Sequence, residues 1–270
     1  MKQHILSVLE KYAPLIPNHI RYLRHVRLRS DFVYQSVTQP IFERMGSSQK
    51  SAVDVGANLG IFTRYLKAHF AQTIAVEPIP ELATKIDRIF GNSVRVENCA
   101  LGPHEGALLI RTPVDAAGNA MHALTTASKG NDLKMFEHRS VVESTVPAKR
   151  LDSFDFGQFP LGFVKIDVEG FELDVLNGAS RILAEDRPIF LIEISKGHNP
   201  DYIETLRRLE QANYHSFAIA SNGLYKGAQE AIDSQPLSLS EPQIGDQAPF
   251  FDFLFVPHEN VHIIEDLIRG

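Results

Sequence analysis

The chain has no tryptophan and one cysteine, Cys99, in 270 residues. A lone cysteine excludes an intrachain disulfide and a zinc site built on cysteine pairs. It fits a reducing compartment. Positive charge is also short: 27 Lys and Arg stand against 33 Asp and Glu, a formal net charge of −6. Generic attraction to nucleic acid or an anionic membrane is therefore not expected. No apolar run approaches the ~20 residues of a spanning helix. Charge interrupts the N-terminus too early for a secretory signal. The expectation is a cytoplasmic protein without a transmembrane segment.

What is present is an ordinary apolar share, 44%, in a chain long enough for one large α/β domain with additions or two small ones. Residues 1–48 read as a helical accessory segment. Ile5, Val8, Leu9 and Tyr12 have helical spacing, Pro14 and Pro17 interrupt it, and a second stretch carries Arg21, Arg24, Arg27 and Arg29. These arginines suit a solvated helix face, a rim for an acidic partner, or a contact in a homo-oligomer. Residues 46–50 form a joint, and 49–270 read as the main domain.

From residue 51 strand and helix patterns alternate, the sign of a parallel sheet. Strands are expected at 52–55, 73–76, 94–98, 163–167, 188–194 and 214–218, with extra strands at 107–111 and 144–147. Residues 113–139 are polar and glycine-containing, and a loop this long is usually functional. Asn199 and Pro200 read as the N-cap and first residue of a helix. Residues 220–249 look like loop. The last strand, 250–256, is reached without a helix and so is expected to run antiparallel.

Two acidic strand ends stand out. Open parallel sheets bind ligands beyond the carboxyl ends of their strands. At the first, Asp54-Val55-Gly56-Ala57-Asn58-Leu59-Gly60 is a strand-to-helix turn, and Glu77 ends the next strand. Glycine lets the backbone approach a ligand, and an acid at Glu77 suits the hydroxyls of a ribose. A dinucleotide turn needs glycine at 58 and 61, where this chain has Asn58 and Ile61. That counts against a nicotinamide-dependent oxidoreductase and favours S-adenosyl-L-methionine, which has no phosphate. Asp54, Gly56, Ala57, Asn58, Gly60, Glu77 and Pro78 form the expected cofactor set. Asn98 and Ala100, after the third strand, sit where an adenine would lie.

At the second end, Asp167, Glu169 and Glu172 follow a buried strand, Glu193 ends the neighbouring one, and His198 follows in the loop. A neutral hydroxyl is a weak nucleophile, so transfer to it calls for a base or a metal. Asp167, Glu169 or His198 suits a base. Asp167, Glu169 and Glu193 are the candidates for holding Mg²⁺, which prefers oxygen ligands. Asp167 also suits contact with the cofactor. Glu172 fits a helix N-terminus, where the dipole favours negative charge. Lys165, inside the strand, reads as half of a partly buried ion pair or as a substrate contact.

The ordered set DVGANLGIFT (54–63), AVEPIPE (75–81), NCALGPHEG (98–106), RLDSF (150–154), VKIDVEGFELDVLNGA (164–179) and PIFLIEI (188–194) resembles the FkbM-type S-adenosylmethionine-dependent methyltransferases. The resemblance implies a class I methyltransferase, Rossmann-like α/β fold with a seven-stranded sheet and an antiparallel last strand. It also implies O-methylation of a small molecule or glycan, on a sugar or natural-product hydroxyl. A non-catalytic protein that keeps the fold as an interaction platform is the alternative from another class. The intact turn, Glu77 and Asp167 argue against it.

Overall fold

The computed structural model describes residues 37–115, 118–128, 140–220, 223–235 and 251–269. The arginines at 21–29 and most of the long loop's second half lie outside the described residues. Strands β1 (Ser51–Val55), β2 (Gln72–Val76) and β3 (Arg95–Glu97) are joined by helices α1 to α3: α1 (Gln39–Arg44) precedes β1, α2 (Ile61–His69) follows it, and α3 (Pro80–Phe90) follows β2. Then come β4 (Ala100–Leu101), β5 (Gly106–Pro113), β6 (Val141–Lys149) and β7 (Leu161–Ile166). Short helices α4 (Glu172–Asn177) and α5 (Ser180–Ala184) lead to β8 (Ile189–Glu193). Helix α6 (Tyr202–Gln211), β9 (Tyr214–Ala220), β10 (Gly223–Lys226), α7 (Ala228–Asp233) and β11 (Asp252–Pro257) complete the order.

The main sheet runs β10-β9-β11-β8-β7-β1-β2-β3. Strands β3, β2, β1, β7 and β8 are mutually parallel, and β11 lies antiparallel to β8 and β9, as expected. The sheet has eight strands among the described residues rather than seven. The addition is β10, which pairs back on β9. Both β10 and α7 fall in the stretch expected to be loop, so the closing strand follows a helix, against the expectation that it is reached without one. A second sheet, β4-β6-β5, takes in the two expected extra strands as β5 and β6 and adds β4, an unexpected strand.

β1 and β7 are buried on both faces, which is why they read as mostly apolar runs, each with one charged residue, Asp54 and Lys165. Val53, Val55, Val164, Ile166, Phe190 and Ile192 face one core with α4, α5 and α6. Ala52, Phe163, Leu191 and Leu254 face the other, with α1 and α2. Phe163 is ringed there by Phe42, Phe62 and Phe70 at centroid distances of 4.8, 6.5 and 6.1 Å. Each such pair adds ~0.5–1.5 kcal/mol beyond area burial. Phe42 anchors α1, so residues just before β1 are part of the core. No helix among the described residues is long and apolar enough to cross a membrane.

One helix start differs from expectation. α6 begins at Tyr202, not at Pro200. Asn199 Oδ1 accepts from Asp201 N at 2.9 Å, and its Nδ2 donates to Glu172 Oε2 at 2.5 Å. The oxygen of Asn199 thus makes the local cap-type bond just ahead of the helix, while its amide nitrogen is spent on a long-range partner.

Candidate active site

The expected site residues lie at or just after the carboxyl ends of β1, β2, β3, β7 and β8, with Asp54 and Glu193 still inside their strands and Ala100 in β4. The turn after β1 is held by its own backbone. Gly56 N and Ala57 N both donate to Val76 O at 3.0 Å. Gly56 has φ +79°, and a Cβ there would lie 1.9 Å from Asp167 O. The bare glycine is what lets the two strand ends touch.

Asp54 is buried at the end of β1, where Thr63 Oγ1 donates to its Oδ2 at 2.5 Å. Burial pushes its carboxyl up to about 6, against the pull of Thr63 and Lys165. Glu77 is buried too. Its Oε2 accepts from Asn58 N at 2.8 Å and its Oε1 from Ile79 N at 2.9 Å. Burial raises it to about 7. Glu77 is therefore a clamp between the glycine turn and the entry to α3. Each carboxylate oxygen keeps a second acceptor position for a ligand hydroxyl.

Asn98 donates from Nδ2 to Glu77 O at 2.8 Å and to Pro78 O at 3.1 Å. Both amide hydrogens brace the exit of β2, so toward an adenine Asn98 can offer only its Oδ1 as acceptor. This narrows its expected role. Ala100 is buried in β4. A turn without a Cβ at its closest approach, flanked by the buried carboxyls of Asp54 and Glu77, fits a cationic, phosphate-free adenosyl ligand.

On the second side Glu169 has a left-handed backbone, φ +52°, unusual for a residue with a Cβ. Thr126, from the segment after β5, donates its Oγ1 to Glu169 O at 2.7 Å and pins that geometry. Gly170 follows with φ +95°; a Cβ there would stand 2.1 Å from His198 O. The loop after β8 therefore lies against Gly170, and His198 Nδ1 reaches Glu169 Oε2 at 2.6 Å. Burial disfavours the charged ring, but the Glu169 hydrogen bond and charge prevail and raise the His198 pKa.

Glu172 is not an exposed helix-end charge. It is buried, with Oε1 accepting from Gly170 N at 2.9 Å and Oε2 from Asn199, and burial lifts it to about 7. Glu172, Asn199 and Thr126 together fix the Glu169–His198 pair. Their long-range contacts leave no periodic trace in sequence. For Mg²⁺, the proposed donors do not converge. No group of three or more His, Cys, Asp or Glu among the described residues is arranged to hold a metal. Asp167 instead lies beside the Lys165 ammonium, 3.2 Å from Oδ2 to Nζ.

A mostly parallel sheet with an antiparallel closing strand, a glycine turn after β1 and an acid after β2 define the class I methyltransferase fold. The family described as the methyltransferase FkbM domain matches residues 54–216, and the chain belongs to it. This bears out the resemblance carried by the six motifs. Methyltransferase 1 of Beauveria bassiana (strain ARSEF 2860) is 31% identical over 144 residues, covering 47% of this chain and 57% of the relative. Methyltransferase sdnD of Sordaria araneosa is 24% identical over 189 residues, covering 60% and 73%. The solved structure of methyltransferase FkbM from Methylobacillus flagellatus KT aligns with a TM-score of 0.47 at 15% identity, over 77% of this chain and 43% of that one. The chain thus spans little more than half of the first relative's length.

Proposed function

We propose that this chain is an S-adenosyl-L-methionine-dependent O-methyltransferase acting on a hydroxyl of a sugar, glycan or glycosylated natural product. The Glu169–His198 pair at the strand end beside the glycine turn carries this reading. When bound, the cofactor supplies a methyl group on a sulfonium, already activated for displacement. Asp54, Gly56, Ala57, Asn58, Gly60, Glu77, Pro78, Asn98, Ala100 and Asp167 would line its site.

The protein's own task is alignment and proton transfer. With Nδ1–H donated to Glu169, the ring of His198 holds its lone pair on Nε2. That nitrogen would take the proton of the acceptor hydroxyl. Glu169 stabilises the resulting imidazolium. Thr126 and the Glu172–Asn199 pair hold both groups in place. Asp167 orients the acceptor. The division into a 1–48 accessory segment and a 49–270 transferase unit belongs to the same proposal.

Calorimetry with S-adenosylmethionine and with NAD tests the cofactor. Binding of the first alone is expected. Glu77→Ala should weaken it by about 1–3 kcal/mol, the scale of hydrogen bonds to a charged group. Tight binding of NAD instead would overturn the reading.

A further inference from the structure

We infer that the acceptor is an uncharged polyol, held through neighbouring hydroxyls by a donor–acceptor set centred on Lys165 and Asp167. This rests on the methyl-transfer reading and narrows its substrate. Lys165 is 6% exposed in the middle of the sheet. Its Nζ makes no hydrogen bond of good geometry among the described residues, although Asp167 Oδ2 is 3.2 Å away. The contact is an ion pair out of line for a hydrogen bond, so the ammonium has donor capacity unspent.

Four carboxylates act on that one ammonium: Asp167, Asp252, Glu193 and Asp54. They come from the ends of β7, β8 and β1 and the start of β11. The register sets Asp54 beside Lys165 and Asp252 beside Glu193. Burial disfavours the ammonium, yet the four carboxylates together raise its pKa, so it stays charged. The set is a single obligate donor among several obligate acceptors.

That chemistry selects its ligand. An ammonium only donates and a carboxylate only accepts, whereas a hydroxyl does both. A hydroxyl arriving past Asp167 at the open edge of this contact can accept from the buried Lys165 ammonium and donate to Asp167, and its neighbour on the same ring can reach a further carboxylate. Asp167, with its side chain 36% exposed, is the open end of the set. A ligand carboxylate or phosphate would satisfy Lys165 but face an excess of negative charge. A divalent cation would compete with the ammonium already at the centre.

The full chain loaded with S-adenosylhomocysteine can be titrated by saturation-transfer NMR with methyl hexosides and pentosides, the matching uronates and the hexoside 6-phosphates. At least one neutral sugar should bind tenfold or more tightly than its anionic counterparts. Lys165→Met should weaken the neutral sugar at least fivefold without lifting any anionic counterpart above it, and Lys165→Arg should restore part of that affinity. Asp167→Asn, at an accessible side chain, should weaken the neutral sugar at least fivefold should the Lys165 variants fail to fold. Equal or tighter binding of a uronate or phosphate, no sugar binding in the panel, or unchanged binding in the variants would overturn the inference. Failure of the wild-type chain to bind S-adenosylhomocysteine strikes the methyl-transfer reading first and this inference with it.

Discussion

Gly56 lies against the main-chain carbonyl of Asp167, so close that any Cβ would stand 1.9 Å from the oxygen. This contact joins the cofactor side of the sheet edge to the acceptor side. Gly56→Ala must displace backbone and adopt a strained φ, and is expected to destabilise the fold by about 3 kcal/mol or more. Gly46, with φ +65° and nothing within 4 Å of a built Cβ, is the control. Gly46→Ala should cost only the ~1–2 kcal/mol of left-handed strain. Equal urea midpoints for the two variants would remove the contact as the cause.

Buried carboxyls give the stability an unusual pH dependence. Asp54 is raised to about 6 and Glu77 and Glu172 to about 7, above their ordinary values of 3.8 and 4.5. The folded chain therefore holds protons that the unfolded chain has released. This stabilisation is complete below about pH 4 and disappears as pH climbs through about 7. From these groups, urea midpoints should fall between pH 5 and pH 8. Glu172→Gln should make the slope shallower, and an unchanged slope would exclude Glu172 from it.

The Glu169–His198 pair should dominate the pH profile of turnover. His198→Ala is expected to lower kcat by about 10²–10⁴-fold, the usual share of a positioned base. Glu169→Gln should shift the acidic limb of kcat to lower pH, because the carboxylate that raises the histidine pKa is gone. Cofactor affinity by calorimetry should change little in either. A limb that stays in place would assign the base elsewhere.

Thr126 is a positioning residue. Its hydroxyl accepts from Ser128 N at 3.0 Å and donates to Glu169 O at 2.7 Å. Thr126→Val keeps the shape and removes both bonds. A loss of about 1 kcal/mol of positioning corresponds to roughly fivefold in kcat. KM for the cofactor should hold, and Thr126→Ser should recover most of the rate. Equal rates for the valine and serine variants would show that the hydroxyl does not matter.

The sheet was legible because β1, β7 and β8 are mostly apolar runs whose few charges, Asp54, Lys165 and Glu193, sit toward their carboxyl ends. Both acidic strand ends could be placed from that alternation. β10 was not legible: Gly223-Leu224-Tyr225-Lys226 is four residues in a polar stretch, and only its pairing with β9 makes it a strand. Asn199 carries the local signature of a cap and its oxygen makes that local bond to Asp201 N, but its amide nitrogen goes to Glu172, a partner 27 residues away that no local pattern announces. Glu172 does open a helix, as its position suggests, but its burial and its bonds to Gly170 and Asn199 had no local sign. Asp252, the one charge in the closing strand, gains meaning only when β11 folds back beside β8 and sets it opposite Glu193. Pairings of that kind depend on the third dimension, where hydrophobic period carries no information.

Cys99 is buried at the junction of the two sheets, and burial pushes its thiol up to about 11. At neutral pH it stays protonated and shielded from alkylating reagents. The native chain is therefore a silent background for thiol chemistry. A cysteine placed at exposed Glu143 on β6 would take a maleimide dye at one defined point. That gives the small sheet an optical reporter without first engineering out a native thiol.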